Sequence, residues 1–258
     1  MQSIIILGYG NMAFSIVSGM LKNSALISKS NIKIAGRNKT KIKEFIKKLD
    51  KTNLQELEHK ENIDIENAII ILCTKKAGFF EANFTSKALA CISVMAGVKL
   101  AQIEQKIKAQ NYIQVMPNVG AFVSRSANCV FAKNDANLAI IQEIIQSFGN
   151  FVLVENEELI DASIATSGSS IAFLALFAQG LIDSGLYFGL KREASQKLVS
   201  QTFSALGELL QSRSPQEIIE LVTSPAGTTI EGLYELEKSG AKGALMKAAI
   251  ASAKKAKN

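Results

Sequence analysis

Six residues near the N-terminus, Gly8-Tyr9-Gly10-Asn11-Met12-Ala13, carry the spacing G-x-G-x-x-A. The apolar run Ile4 to Leu7 precedes them, and apolar residues recur at helical spacing from Asn11 to Lys22. A strand, a glycine turn and a helix in that order predict a dinucleotide site. Gly8 permits the tight turn, Gly10 lets a pyrophosphate approach the backbone, and Ala13 is small enough for the helix to pack on the strand. Asn11 and Met12 open the helix, whose unpaired N–H groups and positive dipole end suit phosphates. The next apolar strand, "NIKIAG", runs into Arg37 and Asn38, where an NAD site usually has an acid for the adenosine ribose. A guanidinium pairs with a 2′-phosphate that a carboxylate would repel. The expected cofactor is therefore NADPH, with NADH the second choice.

Such residues need a sheet to hold them. The apolar stretches "SIIILG", "NIKIAG", "NAIIILCT", "ACISVMAG", "NYIQVMPN", "NCVFAK" and "FVLV" read as strands. Helices are predicted between them over Asn11 to Lys22, Lys39 to Leu49, Leu100 to Ala109 and about Asp135 to Phe148. This alternation predicts an α/β fold, a doubly wound sheet over residues 1–154. Lys75 follows the C-terminal end of "NAIIILCT", where open α/β sheets bind ligands, and is expected beside the nicotinamide ribose. Cys73 beside it reads as core.

Residues 155–258 show no strand pattern, only helices with small residues among them, and the junction falls near Val154 to Glu157. "SPQEI" is a helix start, with Ser214 as N-cap, Pro215 in the first turn and Glu217 closing a capping box. "IAFLALFAQGLI" from Ile171 is too short for a bilayer and reads as a buried helix. Continued to Leu190, it is apolar around most of its circumference, more than one buried stripe requires. A homodimer or higher homo-oligomer, held by this half, is expected.

Composition narrows the partners. The chain has 258 residues, 48% hydrophobic and 20% charged, which is globular. Its net charge of +6 comes from scattered lysines with no interleaved aromatic residues, which argues against nucleic acid. No charged leader precedes an apolar segment, so no membrane partner is expected. Three cysteines, Cys73, Cys91 and Cys129, sit in apolar runs without metal-like spacing. They point to a reducing, cytoplasmic setting and to no metal. His59, in a polar stretch, reads as a solvated surface residue. Glu157, Glu158 and Asp161 read as a hydrated helix start.

With these residues in place, the chain resembles the pyrroline-5-carboxylate reductase family nearly end to end. The resemblance lies in "GYGNMA", "CTKK", "ISVMAGVKLAQIE", "VMPNV", "DASIATSGSS" and above all "LVTSPAGTTIEGLYELE". It implies a Rossmann-type N-terminal domain and an all-helical C-terminal domain that binds substrate and dimerises by intertwining. It also implies that NAD(P)H reduces the C=N bond of 1-pyrroline-5-carboxylate to give L-proline, the last step of proline biosynthesis. Thr74, Lys75 and Asn118 are then expected to contact the cofactor. Ser224, Gly227, Thr228 and Thr229 are expected to bind the substrate carboxylate, with Thr229 as the catalytic positioning residue.

Taken alone, "SPAGTT" suits an ordinary capped helix start, opened by Pro225, as well as an anion clamp. The resemblance selects the clamp. The chain departs from the family's pattern at Pro117-Asn118-Val119-Gly120 and at Ser167-Gly168-Ser169-Ser170-Ile171, where a hydroxyl and two prolines are missing. Two other readings stay open: a reductase of another small imine or keto acid, and a catalytically silent nucleotide-binding sensor.

Overall fold

The computed structural model describes residues 1–49, 54–58, 62–134 and 139–257. His59 and the first residues of the helix expected from Asp135 lie outside that set. Two compact units emerge, Met1–Ser169 with Ser252–Asn258, and Ser170–Ala251.

The first unit is built on strands β1 (Gln2–Leu7), β2 (Ser30–Gly36), β3 (Leu54–Glu58), β4 (Ile63–Asp64), β5 (Ile69–Leu72), β6 (Phe84–Thr85), β7 (Ala88–Ser93), β8 (Ala109–Met116), β9 (Ser126–Ala132) and β10 (Gly149–Leu153). Eight of them form one sheet in the order β10-β9-β8-β7-β5-β1-β2-β3, while β4 and β6 pair by themselves. The helices of this unit are α1 (Asn11–Met20), α2 (Ser24–Lys29), α3 (Lys39–Leu49), α4 (Lys76–Glu81), α5 (Leu100–Glu104), α6 (Ala139–Phe148) and α7 (Glu158–Ala162).

Strand alternation sorts the apolar residues into two cores. Ile4, Ile6, Ile69 and Ile71 pack on one face with Ala13, Ile16 and Val17 of α1 and Ile144 of α6. Ile5, Leu7, Ile70 and Leu72 pack on the other with Phe79 of α4 and Ile103 of α5. Both faces of β1 and β5 are covered, which is why those strands read as unbroken apolar runs. Sheet order reverses at β1, which pairs in parallel with both β2 and β5. In open α/β sheets such a reversal opens a crevice beyond the carboxyl ends of the strands.

Four details differ from the sequence reading. The strand β3, "LQELE", is mostly polar because it is an edge strand, paired among the described residues only with β2. The helix expected over Leu100 to Ala109 ends at Glu104, and Ala109 already belongs to β8. The sheet is not wholly parallel, since β9 runs antiparallel to β8. Glu157, Glu158 and Asp161 are not simply hydrated: Glu157 Oε1 accepts from Leu100 N at 2.7 Å, and Asp161, 5% exposed, pairs with Lys99 at 3.1 Å.

The second unit is helical: α8 (Ser170–Tyr187), α9 (Arg192–Leu209), α10 (Pro215–Val222), α11 (Thr228–Lys238) and most of α12 (Ala241–Lys257). Helices α8 and α9 meet where a Cβ on Gly185 would strike the Ser195 hydroxyl, which donates to Ile182 O at 3.0 Å. The capping box holds, with Ser214 Oγ accepting from Glu217 N at 3.3 Å and Ser214 N donating to Glu217 Oε2 at 2.7 Å.

Contrary to the sequence reading, α8 is not buried. None of its 18 residues is buried in the single chain, and Leu176 and Leu181 are 73% and 51% exposed. By length and composition alone the segment Glu158–Tyr187, which contains an 18-residue window of mean hydropathy 1.5, is long and apolar enough to cross a membrane. A run of turns over 166–169 interrupts it.

Candidate active site

The G-x-G-x-x-A turn joins β1 to α1 beside the end of β5. Gly8 has φ +126, and a Cβ there would lie 2.5 Å from the Cys73 carbonyl oxygen. Only glycine fits both the dihedral and the gap. Gly10 is the N-cap of α1 in extended backbone, with no side chain capping the helix. A Cβ at Gly10 would have nothing within 4 Å, so open space lies over the first turn of a ten-residue helix. That is the cradle a pyrophosphate requires, and the residues fit a dinucleotide. Ala13 is fully buried and serves by packing the helix against the sheet rather than by touching a ligand.

A cavity of about 310 Å³ runs along this turn, lined by Gly8, Tyr9, Gly10, Gly36, Arg37, Cys73, Thr74, Lys75, Ala77 and Gly78. A second, of about 410 Å³, shares Gly10, Cys73, Thr74 and Lys75 and adds Asn11, Met12, Lys76, Val94, Met95 and Ala96. Together they bring Gly8, Gly10, Asn11, Met12, Arg37, Thr74 and Lys75 to one site, as the expected cofactor residues. Among the described residues, neither cavity has a histidine or carboxylate in its lining. Cys73 is more than core, since it lines both, but burial of its sulfur pushes the thiol up to about 12, leaving it protonated.

Two expected cofactor residues are engaged otherwise. Asn38 accepts from Lys41 N at 3.0 Å and so caps the start of α3. The Asn118 side chain, 5% exposed, accepts from Gly120 N at 2.9 Å and donates to Ser167 O at 3.2 Å. Asn118 therefore braces the turn over Val119–Val123, and it lines neither cavity.

Three features escaped the sequence reading. The Tyr9 ring lies directly on Gly36, leaving no room for a side chain at the end of β2. The wall formed by Val94, Met95 and Ala96 is held from beneath by Gln114, which donates to Met95 O at 3.3 Å and to Val98 O at 3.2 Å. Arg37 forms an ion pair with Glu81 at the end of α4. The signal for the wall was present in "MAG", a glycine just past a strand's end. For the other two, contact is made only in the fold.

In the helical unit, "SPAGTT" forms a turn and a helix start. Gly227 N donates to Ser224 O at 3.0 Å, and Ala226 holds φ +57. Pro225 therefore occupies the first corner of a turn and, contrary to the sequence reading, does not open the helix. The helix opens at Thr228, with Gly227 as an N-cap that offers no side chain. Ser224, Thr228 and Thr229 are exposed, and the two threonine hydroxyls have no hydrogen-bond partner among the described residues.

Comparison with known proteins places both halves. Residues 157–258 match the family described as pyrroline-5-carboxylate reductase dimerisation, and residues 3–97 match one described as NADP oxidoreductase coenzyme F420-dependent. A Helicobacter pylori pyrroline-5-carboxylate reductase is 37% identical over 99% of both chains. The chain belongs to the pyrroline-5-carboxylate reductase family. Among solved structures, the 1-pyrroline-5-carboxylate reductase of Streptococcus pyogenes is 27% identical, with TM-score 0.82 over 99% of this chain and 98% of that one. The Plasmodium falciparum pyrroline carboxylate reductase, solved with NADP bound, shares the fold at TM-score 0.75 and 23% identity, over 99% of this chain and 97% of that one.

The reductase fold accommodates both departures from the family's pattern. Asn118 still caps the turn that begins at Val119, and α8 begins at Ser170 without a proline.

Proposed function

We propose that this chain reduces 1-pyrroline-5-carboxylate to L-proline with NADPH, and NADH less well, as the last step of proline biosynthesis. The observation that carries the reading is the open, uncapped start of α1 beside Arg37 and Lys75, in a chain of this reductase family. The N–H groups at the start of α1 hold the pyrophosphate, and Arg37 pairs with the 2′-phosphate. Thr74, Lys75 and the Val94–Ala96 wall take the ribose and nicotinamide. The dinucleotide held there would supply the hydride for the C=N carbon of the protonated cyclic imine. The chain contributes orientation more than acid–base chemistry, in keeping with cavity linings that hold no histidine or carboxylate among the described residues.

In the same reading residues 1–154 bind the dinucleotide, and residues 155–258 bind substrate and dimerise. Ser224, Gly227, Thr228 and Thr229 take the substrate carboxylate through the N–H groups and hydroxyls at the start of α11, with Thr229 decisive. The exposed apolar surface of α8 supports a homo-oligomer that covers it. The protein works in the cytoplasm, soluble, without nucleic acid, membrane or metal.

The test is direct. Purified protein should consume NADPH with pyrroline-5-carboxylate and release proline. Arg37→Asp should weaken NADPH far more than NADH, by about ten- to a hundredfold, the worth of one hydrogen bond to a charged group. Reduction of a different imine or keto acid with no turnover of this one would reassign the substrate. Cofactor binding without any turnover would leave a sensor.

A further inference from the structure

The guanidinium that marks the 2′-phosphate site already has an anion beside it. Arg37 stands at the end of β2, and Glu81 of α4 is paired with it, although the two are 44 residues apart in the chain. Glu81 is held there by its own helix. Phe79, two residues earlier, is fully buried in the core on that face of the sheet, and Lys106 Nζ ties down Phe80 O at 2.6 Å. Gly78, one turn before Glu81 on the same side of α4, lines the cavity with Arg37. The carboxylate therefore lies at the rim of the adenosine end of the cavity, supplied from α4 and not from β2.

We propose that Glu81 is a specificity-determining residue, a carboxylate that reduces this enzyme's preference for NADPH over NADH. The inference rests on the reading that Arg37 receives the 2′-phosphate. A 2′-phosphate seated on Arg37 shares its guanidinium with Glu81, which places two anions roughly 5–6 Å apart, a separation at which charges still interact in water at physiological salt. The pair itself is weak, because its side chains are 60% and 54% exposed, and it yields readily. The standing negative charge does not yield. With NADH no phosphate is present, Glu81 remains on Arg37, and its free oxygen can accept from a ribose hydroxyl. The site thus combines the arginine of one cofactor class with the acid of the other, each from a different element.

The experiment measures dissociation constants of NADPH and NADH, by nicotinamide fluorescence, for the full-length wild type, Glu81→Gln and Arg37→Gln. Thermal melts confirm that each variant is folded. Glu81→Gln should tighten NADPH by about three- to tenfold while leaving NADH unchanged or slightly weaker, and raising the salt should shrink the difference. Unchanged NADPH affinity, or equal gains for both cofactors, would overturn the role of Glu81. Arg37→Gln separates the two layers of the argument. If it weakens NADPH selectively while Glu81→Gln does nothing, Arg37 keeps its role and Glu81 loses its own. If Arg37→Gln weakens both cofactors equally, the 2′-phosphate assignment falls, and the inference about Glu81 falls with it.

Discussion

Gly8 and Gly10 are two residues apart, yet replacing each by alanine should have opposite consequences. At Gly8 an added methyl would meet only backbone: Cys73 O at 2.5 Å, Cys73 C at 2.8 Å and Thr74 N at 3.1 Å. These atoms lie just past the end of β5, where Cys73 N donates to Leu7 O at 2.9 Å, so they cannot swing aside as a side chain could. The φ of +126 adds strain of about 1–3 kcal/mol, and forcing β1 from β5 adds about 1–3 kcal/mol more. Gly8→Ala should thus lose about 2–6 kcal/mol, a large share of the ~5–15 kcal/mol that holds a typical protein folded. At Gly10 the backbone is extended and a methyl meets nothing within 4 Å. Gly10→Ala should change stability by less than about 1 kcal/mol. That methyl instead stands in the space over the first turn of α1, and lifting a phosphate off charge-assisted contacts there forfeits about 1.5–3 kcal/mol of binding. Urea denaturation followed by circular dichroism reads the first effect. NADPH fluorescence reads the second, in a chain with no tryptophan to interfere. A stable Gly8→Ala protein, or a Gly10→Ala protein that binds NADPH normally, would refute this account of the turn.

Thr229→Val should keep fold and cofactor affinity but lower kcat/KM by about ten- to a hundredfold, with Thr228→Val as the control. A loss in the control alone would transfer the role to Thr228. The Tyr112 hydroxyl donates to Ile107 O at 2.8 Å and accepts from Ala109 N at 2.9 Å. Tyr112→Phe strands both groups and should cost about 1–3 kcal/mol in urea titration, with activity per folded molecule retained. Burial pushes the Cys73 and Cys91 thiols upward from 9.0, so the unfolded chain loses these protons first. Their contribution to stability is full below pH 9 and is lost as pH rises toward the folded values. Unfolding free energy should therefore fall as pH rises from about 9 toward about 12, less steeply in Cys91→Ala, and a flat profile would contradict it.

What the sequence revealed was local. The glycine turn, the unbroken apolar strands and the Ser214 capping box are written in residues within a few positions of one another, where spacing decides geometry. Residues that depend on distant partners were misread. Asp161 looked hydrated because Lys99, 62 residues earlier, gives no sign that it returns to pair with it. The brace that Asn118 makes to Ser167, 49 residues later, is likewise invisible in the sequence. The strand β3 leaves little trace because an edge strand needs no alternating apolar face, and the apolar run of α8 does not reveal that the single chain leaves that helix uncovered.

That last feature ties heat resistance to how much protein is present. Among the described residues of α8, α9, α10 and α11, only Ser195 is buried, so these helices lack an interior of their own. If a second copy supplies it, melting releases two chains from one particle, and mass action enters the midpoint. Each tenfold dilution then removes about 1.4 kcal/mol per dimer. Spread over the unfolding entropy of two whole chains, that is a drop of roughly 1–2 °C, and more if the helices melt first. Calorimetry at two concentrations a hundredfold apart would display it. A newly made chain at low abundance would sit at the bottom of this slope, least protected before it meets its first companion.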